Sequence, residues 1–267
     1  MTARPGEHSG TGSVFLLFKI MLYKGYIELK RYPINTVSNF VVLFIFFLLI
    51  FAGGSAIAGE QFGDSLDGII VGFFLFTLAS GAYAGVADSV MKESEWGTLE
   101  RLYMSPHRFV TAVGLDAVVT TTLTTGFAVI LLGLMMLTTG RWLTIDPLTV
   151  TPLVILTLCS VLGIGFVIGG LALVYKRVEN LFQLLQIGFI GLIAAPVDRF
   201  WFLRLLPVSH GSFLLRRAVT ENVHLWEFPA SELAVLVGVS VSYLIVGCVT
   251  FQMATNMARD RGVMGHY

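Results

Sequence analysis

Side chains able to do chemistry are few in this 267-residue chain, and most stand apart from one another. Five histidines (His8, His107, His210, His224, His266) are scattered through polar connections with no partner at metal-ligand spacing. The two cysteines, Cys159 and Cys248, lie inside apolar blocks, so neither a disulfide framework nor a metal cluster is legible. No Gly-x-x-x-x-Gly-Lys-Ser/Thr loop is present to cradle nucleotide phosphates, and there is no His-Glu-x-x-His, Cys-x-x-Cys or Gly-x-Ser-x-Gly. Acids inside apolar blocks would suit proton relay or cation binding. Asp88, Asp116 and Glu179 stand near block ends, where hydration is cheap and a boundary or packing role competes. No catalytic centre is legible, no metal or cofactor is expected on this chain, and the chain does not read as an enzyme.

The elements that carry these residues follow from composition. Hydrophobic residues make up 55% of the chain and charged residues 13%, about half the ~25% of a soluble domain. Mean hydropathy is +0.81. Lys+Arg at 17 balance Asp+Glu at 17, which leaves no basic face for nucleic acid. An ordinary water-soluble enzyme and a disordered chain are likewise excluded.

The apolar residues come in blocks, and the expected fold is an all-α polytopic membrane protein. Residues 1–14 read as a mobile polar tail. Over residues 15–32, Phe15, Phe18, Leu22, Tyr26 and Leu29 share one helical stripe, while Lys19, Lys24, Glu28, Lys30 and Arg31 occupy the other half. This is an amphipathic helix suited to the membrane interface, ended by Pro33. Six spans are expected at residues 37–58, 68–87, 110–139, 151–174, 181–197 and 233–257, the fifth at the lower limit of length. Gly68/Gly72, Gly81/Gly85 and Gly165/Gly169 have the spacing that lets helices approach closely, chiefly within the chain. The hydroxyls of Thr120, Thr121, Thr122, Thr124 and Thr125 suit backbone bonds one turn back, hydrogen bonds across helices, or a polar translocation surface.

Orientation follows from Lys and Arg in the short connections. With the amino terminus in the cytoplasm, the inner pieces hold twelve of them (Arg4, Lys19, Lys24, Lys30, Arg31, Lys92, Arg101, Arg108, Lys176, Arg177, Arg259, Arg261). The outer pieces hold five: Arg141, Arg199, Arg204, Arg216 and Arg217. Both termini are therefore expected inside, in the plasma membrane. Four of the five outer arginines fall in residues 198–230, whose short apolar runs and two prolines read as one or two helices dipping into the outer leaflet, or as an ordinary external loop.

The densest charge is the inner connection 92–106, Lys92-Glu93-Ser94-Glu95-Trp96-Gly97-Thr98-Leu99-Glu100-Arg101-Leu102-Tyr103-Met104-Ser105-Pro106. Alone, it reads as a short charged helix fit for a groove on a cytoplasmic partner, or as a solvated turn. The segment resembles the ABC-2 family of ATP-binding-cassette transporter membrane subunits, whose pattern is roughly Glu-x-Gly-Thr-Leu-Glu-x-Leu followed by Pro. Glu95, Gly97, Thr98, Leu99, Glu100, Leu102 and Pro106 match, whereas Trp96 replaces the polar residue common at its position. Leu206-Pro207 with His210 and Arg216 resembles the family's segment before the last span, and the layout is similar along nearly the whole chain.

The resemblance implies a permease subunit that pairs with a second copy of itself, above two separately encoded cassette ATPases that bind the ATP and Mg. Glu93, Glu95, Trp96, Gly97, Thr98, Leu99, Glu100, Arg101 and Leu102 would couple to those ATPases. The interfacial helix bearing Lys19, Lys24, Glu28 and Arg31 would touch membrane lipid and the ATPase. Leu206, Pro207, His210 and Arg216 would belong to the external re-entrant segment. The form of the coupling segment points to export of a hydrophobic or amphipathic small molecule or lipid. Lipid-linked polysaccharide export and, from another class, an ion-coupled secondary transporter are the alternatives. The latter is opposed by the lack of mid-membrane acids.

Overall fold

The computed structural model describes residues 11–58, 61–95, 109–175 and 178–260, and those residues form helices without any strand. The first helix, α1 (Thr11–Arg31), starts inside the stretch expected to be a mobile tail, because Thr11 to Val14 continue the helical run. Tyr32 separates it from α2 (Pro33–Ala58). Pro33 cannot extend α1 but fits the first turn of α2, where its missing N–H costs no bond.

Helix α3 (Gln61–Glu95) is far longer than the expected 68–87. Polar residues at both ends do not stop it, since a helix leaving a membrane keeps its own hydrogen bonds in water. Its 35 residues span ~52 Å at 1.5 Å per residue. Helix α4 (Phe109–Thr139) ends at Gly140, whose φ of +69° is the left-handed stop that glycine adopts freely. Helix α5 (Pro147–Tyr175) follows, then α6 (Glu179–Ile193). The expected fifth span at 181–197 thus becomes a helix of 15 residues, ~22 Å long, short of a ~30 Å hydrocarbon core. Pro196 sets that limit, because proline keeps the residue before it out of the helical region.

A 3₁₀ turn (Trp201–Leu205), helix α7 (Ser209–Thr220) and a second 3₁₀ turn (Leu225–Glu227) make the connection that follows α6. The chain closes with α8 (Ala230–Asp260). Among the described residues five helices, α2, α3, α4, α5 and α8, are long and apolar enough to cross a membrane, and the chain is a multi-pass membrane protein.

Helix α3 and α5 form the inside of the bundle, with most of their spanning windows buried (72% and 67%), whereas α2 is buried over only 6%. Glycines set the close approaches. Gly81 and Gly85 of α3 seat Thr124 and Thr120 of α4. Gly163 of α5 and Gly247 of α8 bring their backbones into direct contact. The largest apolar cluster gathers Ile70, Leu75, Leu78, Leu131, Met135, Leu153, Phe189 and Leu215. A second, around Val86, Val113, Phe166 and Phe251, lies toward the end of the bundle holding the chain termini.

Candidate functional site

Two cavities and one polar cap stand out. The larger cavity, about 670 Å³, lies between α3, α4 and α5. Val71, Phe74, Val129, Leu132, Val154 and Leu158 supply its apolar wall, and Thr121, Thr122 and Thr125 of α4 also line it. Those hydroxyls are already spent: Thr121 donates to the Ala117 carbonyl at 2.7 Å, Thr122 to Val118 at 2.8 Å and Thr125 to Thr121 at 2.7 Å. Hydroxyls bonded this way have no donor left to offer a ligand, and only their oxygens can still accept. The wall therefore suits an apolar or amphipathic occupant, and the volume is that of a small-molecule site.

The cap lies at the end of the bundle away from the termini. Pro207 enters it through a tight turn centred on Val208, whose φ of 70° is rare for a β-branched residue. The Ser209 N–H closes that turn on the Pro207 carbonyl at 2.8 Å, the bond of a strained γ-turn. The turn sends His210 inward. His210 is 1% exposed and its Nε2 lies 3.0 Å from the Glu232 carbonyl oxygen. Burial pushes its pKa below the ordinary histidine value, against the opposing influence of that carbonyl and the Glu232 carboxylate.

The Glu232 carboxylate, in the first turn of α8, faces Arg204 at 4.0 Å and Arg217 at 3.9 Å. Arg217 also reaches Glu221 at 3.1 Å and lies over the rings of Phe213 and Phe228. A second knot ties the connection to the start of α5. Asp146 accepts from the Leu148 N–H at 3.1 Å and the Thr149 hydroxyl at 2.6 Å, and His224 Nδ1 lies 3.3 Å away. Thr149 in turn accepts from the Leu225 N–H at 3.0 Å. The Thr149 hydroxyl, followed by His224 and the Leu148 N–H, holds the Asp146 carboxyl below the usual carboxylate value, against partial desolvation.

The smaller cavity, about 560 Å³, lies between α2, α3, α6 and α7 and is lined by Arg216. The Arg216 stem crosses Gly68, and its guanidinium donates to the Ile193 carbonyl at 3.3 Å.

No family model and no curated protein matches the chain.

Of the sequence-selected residues, the structure brings Leu206, Pro207, His210 and Arg216 into or beside the cap, with His210 and Pro207 buried and Arg216 half-buried. Lys19, Lys24 and Arg31 are exposed along α1. Phe18, Leu22 and Leu29 are half-buried, but Tyr26, placed on the same stripe, is exposed. Glu93 and Glu95 fall on the last turn of α3, with their side chains outside the described residues. The Glu28 side chain is also outside them, as are Trp96, Gly97, Thr98, Leu99, Glu100, Arg101 and Leu102. Glu232, Asp146 and Thr149 were not singled out. The available signals were an acid in the first turn of the last span and an Asp-Pro helix start.

Proposed function

We propose that the chain is the membrane subunit of an ATP-driven exporter of the ABC-2 type. Two copies would form the translocation pathway above two separate cassette ATPases, which bind ATP and Mg and do the hydrolysis. The observation that carries this reading is the continuity of α3. It lines the larger cavity with Val71 and Phe74 and the smaller with Gly68, Gly72 and Phe76, then runs unbroken to Glu95. There it enters the segment whose residues match the family pattern. At ~52 Å it outreaches a ~30 Å hydrocarbon core, so a push on residues 92–106 reaches both cavities through one helix.

The remaining parts take their places in this reading. Helix α1 lies along the cytoplasmic interface of the plasma membrane, with both termini inside. Helix α6 is a sixth, shortened crossing, and residues 198–230 form a re-entrant cap over the outer exit. The nearly all-apolar larger cavity, its threonine hydroxyls satisfied, favours a hydrophobic or amphipathic small molecule or a lipid as cargo. Transport is then a population shift: closure of the ATPases favours the arrangement of α3 and its neighbours that binds cargo poorly.

The test is Glu100→Arg, assayed in proteoliposomes with the cassette ATPase that copurifies with the full chain. The expected result is ATP hydrolysis without transport from an intact assembly. Transport at the wild-type rate would defeat the coupling assignment, and absence of any copurifying ATPase would defeat the exporter reading.

A further inference from the structure

The smaller cavity has an unusual wall. Phe46, Ile50, Ile69, Phe73, Phe76, Ile190 and Ile193 make it apolar, yet the charged Arg216 side chain lines it beside Thr220 and Ser65. The guanidinium is only partly satisfied. One nitrogen bonds to the Ile193 carbonyl at the end of α6, where the helix dipole favours a cation, but the buried Nε has no hydrogen-bond partner among the described residues. Among those residues no acid lies within ion-pair distance of Arg216: Glu232 is engaged by Arg204 and Arg217, and Glu221 by Arg217. Asp67, next to Gly68 in sequence, is not part of the lining. A cation in an apolar wall without a counter-charge is costly, and a complementary anion removes much of that cost.

The cavity also opens sideways. Phe46 and Ile190 on its rim are each more than two-fifths exposed, and α2, which carries Phe46 and Ile50, packs on the core by one face only, leaving Val42, Ile45, Phe46 and Leu49 exposed. In a membrane that side faces hydrocarbon, so the occupant comes from the bilayer rather than from water. Ser65, Gly68 and Thr220 set the level of the site near the cap end, at headgroup depth.

We propose that this cavity holds an anionic lipid of the surrounding leaflet, its phosphate bonded to Arg216 and its chain lying along Phe46, Ile50, Phe73 and Phe76. Gly68 and Gly72 make the room. The missing side chain at Gly68 lets the arginine stem cross α3, with the Cδ only 3.4 Å from where a Cβ would stand. At Gly72 a side chain would grow into the cavity floor against Ile193.

The full-length chain, purified in a neutral detergent, is tested by native mass spectrometry with three probes: hexadecyl phosphate, hexadecanol and inorganic phosphate. Hexadecyl phosphate is expected to be retained and the other two lost. Arg216→Gln should weaken its retention about tenfold, the worth of one charge-assisted hydrogen bond, and Arg216→Lys should restore part of it. Gly72→Leu keeps the charge but fills the floor, and should lower retention as well. Lipid copurifying with the wild type should be enriched in acidic phospholipid over the source membrane, an enrichment lost in Arg216→Gln. Equal retention by Arg216→Gln and wild type overturns the proposal, and so does equal retention of hexadecanol. Retention of inorganic phosphate alone would show an anion site without a lipid. A changed dimer fraction in Arg216→Gln with unchanged probe retention would make a second copy of the chain the occupant. No ATPase enters the experiment, so its failure and failure of the exporter reading are separable.

Discussion

Glu232 is the residue on which the polar cap turns, and replacing it by Gln isolates its charge. Its carboxylate stands 3.9 Å from Arg217 and 4.0 Å from Arg204, with its own side chain only 16% exposed. At an effective dielectric constant near 20, each unit-charge pair at such a distance is worth ~4 kcal/mol before costs. Most of that is returned. The two arginine side chains are about a third exposed (32% and 37%), their ordering costs entropy, and pairs of this kind measure ~1 kcal/mol or less. Loss of the charge near the start of α8 adds a few tenths through the helix dipole. Glu232→Gln should therefore cost about 2 kcal/mol, which for a chain of this size lowers the unfolding midpoint by ~4–8 °C.

The assay is thermal unfolding of the full chain in neutral detergent, followed by intrinsic fluorescence. A double-mutant cycle with Arg217→Gln should return a coupling of about 1 kcal/mol, because Arg217 keeps Glu221 and its two aromatic rings while Arg204 does not. A midpoint within about 1 °C of wild type, or an additive cycle, would refute the view that this carboxylate fastens α7 and the preceding turn to α8.

Two further outcomes follow from the same geometry. His210 has a folded pKa below its unfolded one, so its contribution is fully present above the unfolded value near 6.5 and is lost as pH falls from there toward the folded value. The Asp146 carboxyl is likewise depressed, and its contribution fades only at lower pH, as pH drops through that depressed value beneath the usual carboxylate range. Unfolding midpoints measured against pH should show two separate declines, the first flattened by His210→Asn and the second by Asp146→Asn; one merged decline in all three proteins would contradict this. Separately, Gly247→Val would drive a side chain into the Gly163 backbone, and the forced separation of α5 and α8 should cost ~3 kcal/mol or more by the same melting assay. Gly238→Ala on the same helix, where an added carbon meets nothing within 4 Å, should melt no lower than wild type.

The membrane-crossing elements were legible because hydrophobicity is a local property of the chain. Their lengths were not. Charged residues at 64 and 67 made the second block look shorter than α3, although a helix loses nothing by carrying charge where the bilayer ends. The Gly81/Gly85 spacing did foretell a close approach, and its partner proved to be the threonine run: Thr120 and Thr124 sit on the two glycines, while Thr121, Thr122 and Thr125 face the cavity. The backbone use of the run holds for Thr121, Thr122, Thr124 and Thr125, whose hydroxyls return to the carbonyl one turn back even where they line the cavity. For the knot of Asp146, Thr149 and His224 the sequence offers the Asp-Pro helix start at one side and nothing that names His224 as its partner. The knot joins residues 78 positions apart, and nothing in a polar loop says which distant helix start it will meet.

The arrangement of these contacts bears on how force would travel if residues 92–106 receive it. A rod moves its surroundings only where it is gripped. Helix α3 is gripped on one side by α4, through Thr120 and Thr124 seated on Gly85 and Gly81, and on another by α5, where Gly165 lies against Val86 and the Tyr83 carbonyl. Along α3 both grips lie between the cavity residue Phe74 and Glu95, and the α4 grip is level with the part of the cavity lined by Thr121 and Thr125. Sliding α3 along either neighbour would lift threonine side chains off glycine and open voids, which close-packed interiors resist. Tilting it as a unit with α4 keeps the threonine–glycine grip, pivots about the Gly165 contact with Val86 and Tyr83, and changes the gap to α5 at the level where Val154, Leu158 and Leu162 form the far wall of the cavity. Meanwhile α5 is held at its other end by Asp146 and Thr149 to the cap, and along its length by α8 through Gly163 and Gly247. If the exporter reading holds, α3 with α4 would then be the pair that moves against α5 and α8, with the larger cavity at the seam and the Gly165 contact as its pivot.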